Sequence, residues 1–240
     1  MTTTMKNETF PTQRKTHGVH VCVLGGIGAG KSTLANAIGE VWEDCEVLRE
    51  PASITNPYLA DYYANPHQNA FAMQIFLLNK RFEQQLIAQD RAIAGRNVVQ
   101  DSSIFSDSCF VSKLVKDGTM RQVDAQTYFD LFTNMTRFAL YPTAVVYLDT
   151  PIDVQIERIV KRMEEKERRK CECAITADYL TALQLEYERL LTGLGQYTRL
   201  IRLSWGESKS MVEIKATACA LYDYIQAGRM YSPIDCFLGV

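Results

Sequence analysis

The fold of this chain is decided by the stretch Gly25-Gly26-Ile27-Gly28-Ala29-Gly30-Lys31-Ser32-Thr33, which fits the phosphate-loop pattern G-x-x-x-x-G-K-[ST]. Its glycines allow a tight turn whose backbone N–H groups point inward at a β-phosphate. In such a loop the lysine, here Lys31, reaches the β- and γ-phosphate oxygens, and the hydroxyl of Ser32 meets Mg²⁺. The stretch therefore predicts a site for the phosphates of ATP or GTP.

The sequence on either side of this loop supports the motif. An apolar run at residues 19–24 precedes the loop and predicts a buried strand. After the loop, apolar residues recur at the spacing of an amphipathic helix. The N-terminus of that helix would place partial positive charge beneath the phosphates. This order of strand, glycine-rich turn and helix favours a genuine phosphate site over a chance match.

The composition of the 240-residue chain favours one globular domain that binds a small molecule. Hydrophobic residues make up 47% of the chain, which is ample for a large core. A net charge of −2 and a pI near 6.0 argue against a protein that grips the backbone of polymeric nucleic acid. Residues 1–17 are polar, so we expect a disordered tail there and a single domain at residues 18–240.

The cysteines and the lengths of the apolar runs indicate a reduced, cytoplasmic setting. The seven cysteines are an odd number, and their scattered positions do not resemble a disulfide framework. No apolar run approaches the roughly 18 residues that a membrane span requires. We therefore expect a cytoplasmic protein with no membrane partner.

Strand and helix patterns alternate along the rest of the chain. Short apolar runs predict further strands at residues 45–49, 97–100, 143–148 and 199–204. Helical patterns lie between and after them, at residues 56–63, 68–94, 104–116, 123–139, 152–168, 176–191 and 209–226. Such alternation implies right-handed crossovers and a five-stranded parallel sheet that helices cover on both faces.

Polar residues stand at the carboxyl ends of the predicted strands. Besides the phosphate loop, these residues are Glu50, Asp101 and Asp149. In an open α/β sheet, ligands bind beyond the carboxyl ends of the strands. The sequence therefore predicts one crevice in which the loop and these three carboxylates meet.

Further landmarks follow the loop along the chain. They are, in order, Glu50-Pro51, Asn56-Pro57-Tyr58-Leu59, Tyr63-Ala64-Asn65-Pro66, Gln74, the acidic block at residues 101–107 and the tyrosine-leucine segment at residues 179–188. With these landmarks the chain resembles the deoxyribonucleoside kinases over roughly residues 19–204, and Asn56-Pro57-Tyr58-Leu59 resembles the bacterial and phage branch of that family. The resemblance implies an α/β P-loop kinase fold, a parallel sheet flanked by helices with a lid.

The resemblance implies an ATP-dependent enzyme that moves the γ-phosphate to the 5′-hydroxyl of a deoxyribonucleoside. Glu50 would be the general base that takes the proton from that hydroxyl. Tyr63 and Glu172 would bind the sugar 3′-hydroxyl, and Gln74 would bind the edge of the base through its amide donor and acceptor. Phosphoryl transfer is catalysed mainly by positioning and charge neutralisation, so few other groups are needed. The resemblance also implies a homodimer.

Cofactor binding and base preference follow from the same resemblance. Asp101 would help Ser32 hold Mg²⁺ through water. Arg81 and Asp107 stand where relatives that prefer deoxycytidine or purine deoxynucleosides carry this charged pair. Such a pair narrows the pocket and leaves little room for the 5-methyl group of thymine. A salt bridge between helices, without ligand contact, is the alternative for these two residues.

Two departures from the family pattern concern the catalytic cations. Ser102 stands where the family carries an arginine that steadies the 5′-oxygen and the transferred phosphoryl group, and a hydroxyl cannot replace a bidentate cation. The lid at residues 162–172 is also about five residues longer than usual. Candidates for the missing cation are Arg162, which we expect beside ATP, together with Arg168 and Arg169. Arg169 is the expected catalytic residue of the lid.

Two other functions remain open from the sequence. A nucleoside-monophosphate kinase of similar fold would need cations for the substrate phosphate, for which Arg49, Arg81 and Arg169 are available. Tyr63 and Glu172 favour a neutral sugar instead. A catalytically silent nucleotide-binding subunit is suggested by Ser102, although Lys31, Ser32 and Glu50 are all retained.

Overall fold

The computed structural model describes residues 17–50, 56–165 and 172–228. These residues form one sheet whose strands all run parallel, so the predicted five-stranded parallel sheet is confirmed. The five strands are β1 (His20–Leu24), β2 (Cys45–Leu48), β3 (Asn97–Asp101), β4 (Ala144–Asp149) and β5 (Arg199–Ser204), in the spatial order β2-β3-β1-β4-β5.

Helices separate the strands in the described part of the chain, as the periodicity predicts. Their bounds are α1 (Lys31–Val41), α2 (Leu59–Ala64), α3 (Pro66–Ile93), α4 (Ile104–Lys116), α5 (Gln122–Thr136), α6 (Ile152–Glu165), α7 (Ala177–Leu194) and α8 (Met211–Ala227).

Helix ends differ from the predicted bounds by a few residues. Helix α3 begins at Pro66 rather than at residue 68, because the Asn65 side chain accepts the N–H of Gln68 and proline suits the first helical position. Helix α5 ends at Thr136, before the predicted residue 139, whereas α7 continues to Leu194, past the predicted residue 191. The predicted end of α6 near residue 168 lies outside the described residues.

The two faces of the sheet carry different cores, because successive side chains of a strand point in opposite directions. Cys22 and Leu24 of β1 pack on one face with side chains from α3, α4, α5 and α7. Val21 and Val23 pack on the other face with side chains from α1 and α8. This two-sided burial explains why residues 19–24 form a continuous apolar run rather than an alternating one.

The strand order positions the phosphate loop. Strand β1 lies at the centre of the sheet, between β3 and β4. The loop that follows β1 therefore begins between the carboxyl ends of its two neighbours. This is the place in an open parallel sheet where ligands bind.

A buried histidine in the central strand gives the protein a predicted dependence of stability on pH. The ring Nε2 of His20 lies 2.6 Å from Oε1 of Gln100, and the side chain has no solvent exposure. Burial lowers the pKa of His20 from 6.5 to about 4, although the hydrogen bond with Gln100 opposes this shift. The unfolded chain therefore binds a proton at a pH where the folded chain does not.

The free energy of unfolding is consequently expected to fall as the pH drops from about 6.5 to about 4, by roughly 3 kcal/mol for this group. Urea unfolding at several pH values checks this, with His20→Gln as the variant that cannot titrate. The parent should lose stability relative to the variant across that window. The exposed His67, replaced by Gln, is the matched control. An equal pH dependence in parent and His20→Gln would contradict the prediction.

The sequence also predicts a disordered N-terminal tail and no membrane-spanning segment. Residues 1–16 lie outside the described residues, so the disordered tail and the single domain at residues 18–240 stay predictions. Among the helices of the described residues, none combines the length and the apolar character that crossing a membrane requires.

Candidate active site

A cavity of about 550 Å³ lies beyond the carboxyl ends of the central strands. Its wall includes most of the phosphate loop, Glu50 after β2 and Asp101 at the end of β3. Residues from α2, α3, α4, α6 and α7 also line it. The predicted crevice therefore exists, and it brings the loop together with two of the three predicted carboxylates.

The third carboxylate does not reach this cavity, and its inclusion in the crevice was wrong. The side chain of Asp149 is exposed at the end of β4. Its backbone carbonyl accepts a hydrogen bond from the Trp205 N–H at 2.9 Å. This contact extends the pairing of β4 with β5, and the Asp149 side chain is not part of the cavity wall.

Tight packing around the phosphate loop explains its glycines. Gly30 caps α1 with φ of 100°, and a Cβ there would lie 2.8 Å from Nε1 of Trp205. Gly28 has φ of 81°, and a Cβ there would lie 2.6 Å from the Gln155 carbonyl oxygen. Both positions combine a left-handed backbone with no room for a side chain. The loop is thus held between the sheet, α6 and the residue after β5.

The lysine of the loop folds back over it. Nζ of Lys31 donates to the carbonyl oxygens of Gly25 at 3.1 Å and Gly26 at 2.9 Å. The rest of the predicted phosphate-binding set lies in the same loop, and most of it faces the cavity. Of that set Ile27, Gly28, Gly30, Lys31, Ser32 and Thr33 line the cavity. Ala29 is buried instead, and its carbonyl accepts hydrogen bonds from Thr150 and Arg158.

The predicted magnesium residues contact each other directly. The hydroxyl of Ser32 donates to Oδ2 of Asp101 at 2.5 Å. Oδ1 of Asp101 is buried and has no hydrogen-bond partner among the described residues. Hydroxyl and carboxylate oxygens are the ligands that Mg²⁺ prefers. The residues therefore fit a magnesium ion, and an unpaired buried oxygen at this point is what such an ion would satisfy.

The charge state of Asp101 depends on its neighbours. Burial raises the pKa of Asp101, and the charge of Glu50 raises it further. Lys31, the hydrogen bond from Ser32, and Arg81 oppose that rise in pKa. A divalent cation at this position would also favour the charged form of the carboxyl group.

An arginine from α3 joins the two predicted substrate carboxylates. Nη2 of Arg81 donates to Oε1 of Glu50 at 2.7 Å. Nη1 of the same side chain forms an ion pair with Asp107 of α4. The Tyr128 hydroxyl donates to the other oxygen of Asp107 at 2.6 Å. Arg81 is 2% exposed and Asp107 has no exposure, so their contact is made in a largely dry environment, whereas Glu50 is 25% exposed in the cavity wall.

Arg81 and Asp107 of this buried network differ in whether they reach the cavity. Arg81 lines the cavity, and Phe110 beside it has its ring centre 5.5 Å from the guanidinium carbon. Asp107 has no solvent exposure and lies behind Arg81 rather than in the cavity wall. Any effect of Asp107 on a ligand in the cavity is therefore transmitted through Arg81.

Gln74 is buried rather than on the outer surface of its helix. Its side chain is 1% exposed and lines the cavity, and its Oε1 has no hydrogen-bond partner among the described residues. A buried amide oxygen without a partner costs about 1–3 kcal/mol, so a ligand that donates a hydrogen bond there is favoured. Tyr63 also lines the cavity, at the end of α2.

Arg162, at the beginning of the lid, forms hydrogen bonds with Glu172 at the end of the lid. Nε and Nη2 of Arg162 donate to Oε2 of Glu172 at 3.0 and 2.6 Å. Glu172 is 3% exposed, and Arg162 lines the cavity. Arg168 and Arg169 lie outside the described residues, so the predicted catalytic role of Arg169 stays a prediction.

The chain was compared with known protein families, and one family matches. The family model described as deoxynucleoside kinase matches residues 21–218, which is most of the chain. The chain belongs to the deoxynucleoside kinase family. The predicted family, P-loop kinase fold and class of enzyme, an ATP-dependent deoxyribonucleoside kinase, are confirmed.

Individual relatives of this deoxynucleoside kinase act on several deoxynucleosides. A deoxyadenosine kinase from Dictyostelium discoideum is 34% identical over 236 residues, which cover 97% of this chain and 92% of the relative. A deoxyadenosine/deoxycytidine kinase from Bacillus subtilis is 32% identical over 72% of this chain and 76% of its own length. A solved M. mycoides deoxyadenosine kinase with bound dATP matches with a TM-score of 0.71, at 25% identity, over 85% of this chain and 99% of its own.

Two residues of this kinase site are missing from the sequence-based prediction. Arg158 of α6 lines the cavity and donates to the carbonyl oxygens of Ala29 at 3.1 Å and Trp205 at 3.2 Å. Its position one helical turn before Arg162 was a signal that could have found it. Tyr128, which fixes Asp107, gives no such signal, because its partner lies 21 residues away on another helix.

Proposed function

We propose that this deoxynucleoside kinase phosphorylates the 5′-hydroxyl of deoxyadenosine, with deoxycytidine as a second substrate. The unpartnered Oε1 of Gln74 in the cavity wall carries this proposal. Adenine and cytosine both present an amino group beside an unprotonated ring nitrogen. The amide of Gln74 matches that edge, because its oxygen accepts from the amino group while its NH₂ donates to the ring nitrogen. The names of the relatives support the same choice.

Electrostatics beside Gln74 disfavour guanine. A carbonyl oxygen at position 6 of the purine would gain from an available cation. The charge of Arg81 is instead shared between Glu50 and Asp107, and Tyr128 fixes Asp107 as its acceptor. The guanidinium therefore offers a carbonyl edge little extra stabilisation, and the amino edge is preferred.

In the proposed reaction Glu50 accepts the proton of the 5′-hydroxyl as the oxygen attacks the γ-phosphorus of ATP. Lys31 swings from the loop carbonyls to the β- and γ-phosphate oxygens and neutralises charge that grows there. Ser32 and Asp101 would hold Mg²⁺, which when bound would neutralise and orient the phosphates. Tyr63 and Glu172 would bind the 3′-hydroxyl. Arg162 would contact ATP, and Arg169 would be the catalytic cation of the lid.

Turnover of ATP against the four deoxynucleosides and their monophosphates tests the proposed substrate. Deoxyadenosine should give the highest kcat/KM, followed by deoxycytidine. A faster reaction with a monophosphate, or with thymidine, would overturn the proposal. The monophosphates also test the alternative of a nucleoside-monophosphate kinase.

Asp107→Asn is expected to reduce the preference for deoxyadenosine over deoxyguanosine roughly tenfold, measured as the ratio of the two kcat/KM values. The amide still accepts from Tyr128, but it no longer neutralises Arg81, so the carbonyl edge of guanine gains a cation. Asp124→Asn is the matched control, because Asp124 forms an exposed ion pair with Arg121 at 2.7 Å. An unchanged ratio in Asp107→Asn would remove Asp107 from base selection.

We also propose that the enzyme is a cytoplasmic homodimer, as the family resemblance implied. Large apolar side chains exposed near one another in sequence on α5 and just beyond it, Leu131 and Phe138, support a partner surface. Light scattering should give a mass near twice the 27.2 kDa of one chain. A mass equal to one chain would contradict the dimer.

A further inference from the structure

The end of β3 supplies no cation to the site. Ser102 stands there in a left-handed backbone conformation with φ of 79°. Its side chain is buried, and its hydroxyl lies 3.2 Å from that of Ser106 on α4. The position that carries an arginine in the family pattern is therefore occupied by a small neutral group facing α4.

Four other cations of the described residues line the cavity. Arg49 is exposed just after β2, and the other three are bonded elsewhere in this structure. Lys31 donates to the carbonyls of its own loop. Arg158 donates to the carbonyl oxygens of Ala29 and Trp205, and Arg162 donates to Glu172. Of these three side chains, the proposed reaction assigns Lys31 to the β- and γ-phosphate oxygens and Arg162 to ATP.

The guanidinium of Arg81, in contrast, contacts Glu50 at 2.7 Å. We propose that Arg81 is the positioning residue for Glu50, supplying from α3 the cation that Ser102 does not supply from the end of β3. This inference rests on the proposed role of Glu50 as general base. It adds a role in catalysis to a residue that the family resemblance connects with base choice.

The geometry of Arg81 suits this role. A guanidinium is a rigid planar fork, so fixing one end fixes the other. Asp107 holds Nη1, and Tyr128 holds Asp107 in turn. Nη2 is thereby aimed at Oε1 of Glu50, which restricts the orientation of that carboxylate. Holding a catalytic group in its reacting geometry is a major part of catalysis in phosphoryl transfer.

One consequence is that base recognition and catalysis share a side chain. A base that displaces Arg81 would disturb Glu50 as well. Poor substrates should therefore show a reduced kcat at saturation, in addition to a raised KM.

Comparing variants in a background that lacks the buried acid tests the role of Arg81. Removing Arg81 alone would leave Asp107 buried and uncompensated, which is strongly destabilising. The comparison is therefore between Asp107→Asn, the double variant Arg81→Met/Asp107→Asn, and that double variant with Ser102→Arg added. Circular dichroism checks folding, and kcat and KM for deoxyadenosine are measured for each.

We expect kcat to fall about 10- to 100-fold from Asp107→Asn to the double variant. Adding Ser102→Arg to the double variant should restore at least about a fifth of the kcat that was lost. KM should stay raised, because the new cation serves Glu50 and not the base. A kcat within about twofold of Asp107→Asn, or a loss that Ser102→Arg does not recover, would overturn the inference. A role limited to binding the base changes KM without this recovery.

Arg81→Lys in the parent gives an independent test if the multiple variants do not fold. Lysine keeps the buried charge but cannot reach two carboxylates in a fixed fork, so kcat should fall at least about fivefold. A parental kcat in this variant would overturn the inference. Arg91→Lys is the matched control, since Arg91 also lies on α3 and bonds a glutamate of β2, Glu46, at 2.9 Å, but is 38% exposed.

The parent protein separates the two levels of the proposal. A parent that turns over no deoxynucleoside contradicts the proposed function itself. A parent that is active, with a double variant as fast as Asp107→Asn, contradicts only the role of Arg81.

Discussion

Replacing Lys31 with alanine is expected to reduce kcat by roughly 10³-fold or more while the protein stays folded. In the proposed reaction the ammonium neutralises charge on the transferring phosphate, and alanine leaves the developing charge without it. Steady-state turnover of ATP with deoxyadenosine measures the loss. Circular dichroism and thermal unfolding measure the fold.

The structure explains why the fold should survive this change. Lys31 is the first residue of α1, and its ammonium bonds only to the carbonyl oxygens of Gly25 and Gly26 among the contacts of the described residues. Alanine is also a favourable helix residue. Lys80→Ala is the matched control, because Lys80 is exposed on α3 and pairs with Glu83. Parental turnover in a folded Lys31→Ala protein would refute the assignment of the phosphate loop.

Replacing Glu50 with glutamine is expected to lower kcat by roughly 10²- to 10⁴-fold with little change in the affinity for the nucleoside. The amide keeps the shape of the side chain and can still accept from Arg81, but it cannot take a proton from the 5′-hydroxyl. Pre-steady-state turnover measures the chemical step, and calorimetric titration with deoxyadenosine measures binding.

A nearby glutamate provides the control for this substitution. Glu46 of β2 bonds to Arg91 at 2.9 Å, at the opposite end of the strand from the cavity. Glu46→Gln should leave both kcat and nucleoside affinity close to the parental values. If Glu50→Gln loses binding while each bound complex reacts at the parental rate, Glu50 is a binding residue and the proposed mechanism is wrong.

The phosphate loop and the parallel sheet could be predicted from the sequence alone, because each depends on residues that are close together in the chain. The phosphate loop can be recognised in the sequence because its function depends on consecutive residues: glycines that allow the turn and a lysine that lies in the same loop. The parallel sheet is readable because a strand buried on both faces requires a continuous apolar run, and the run at residues 19–24 provides one. Glu50 and Asp101 could be predicted as crevice residues because Glu50 comes shortly after β2 and Asp101 ends β3.

Contacts between side chains that are distant in sequence depend on the tertiary structure. Glu50 and Arg81 are 31 residues apart, and nothing in the spacing predicts that one guanidinium reaches both Glu50 and Asp107. Packing of α3 and α4 against the sheet brings them together. The same packing places Asp107 behind Arg81. Asp149 is exposed at the end of β4, although the sequence predicts it in the same crevice as Glu50 and Asp101. Side-chain direction and burial depend on how elements pack, and that information is not local to any stretch of the chain.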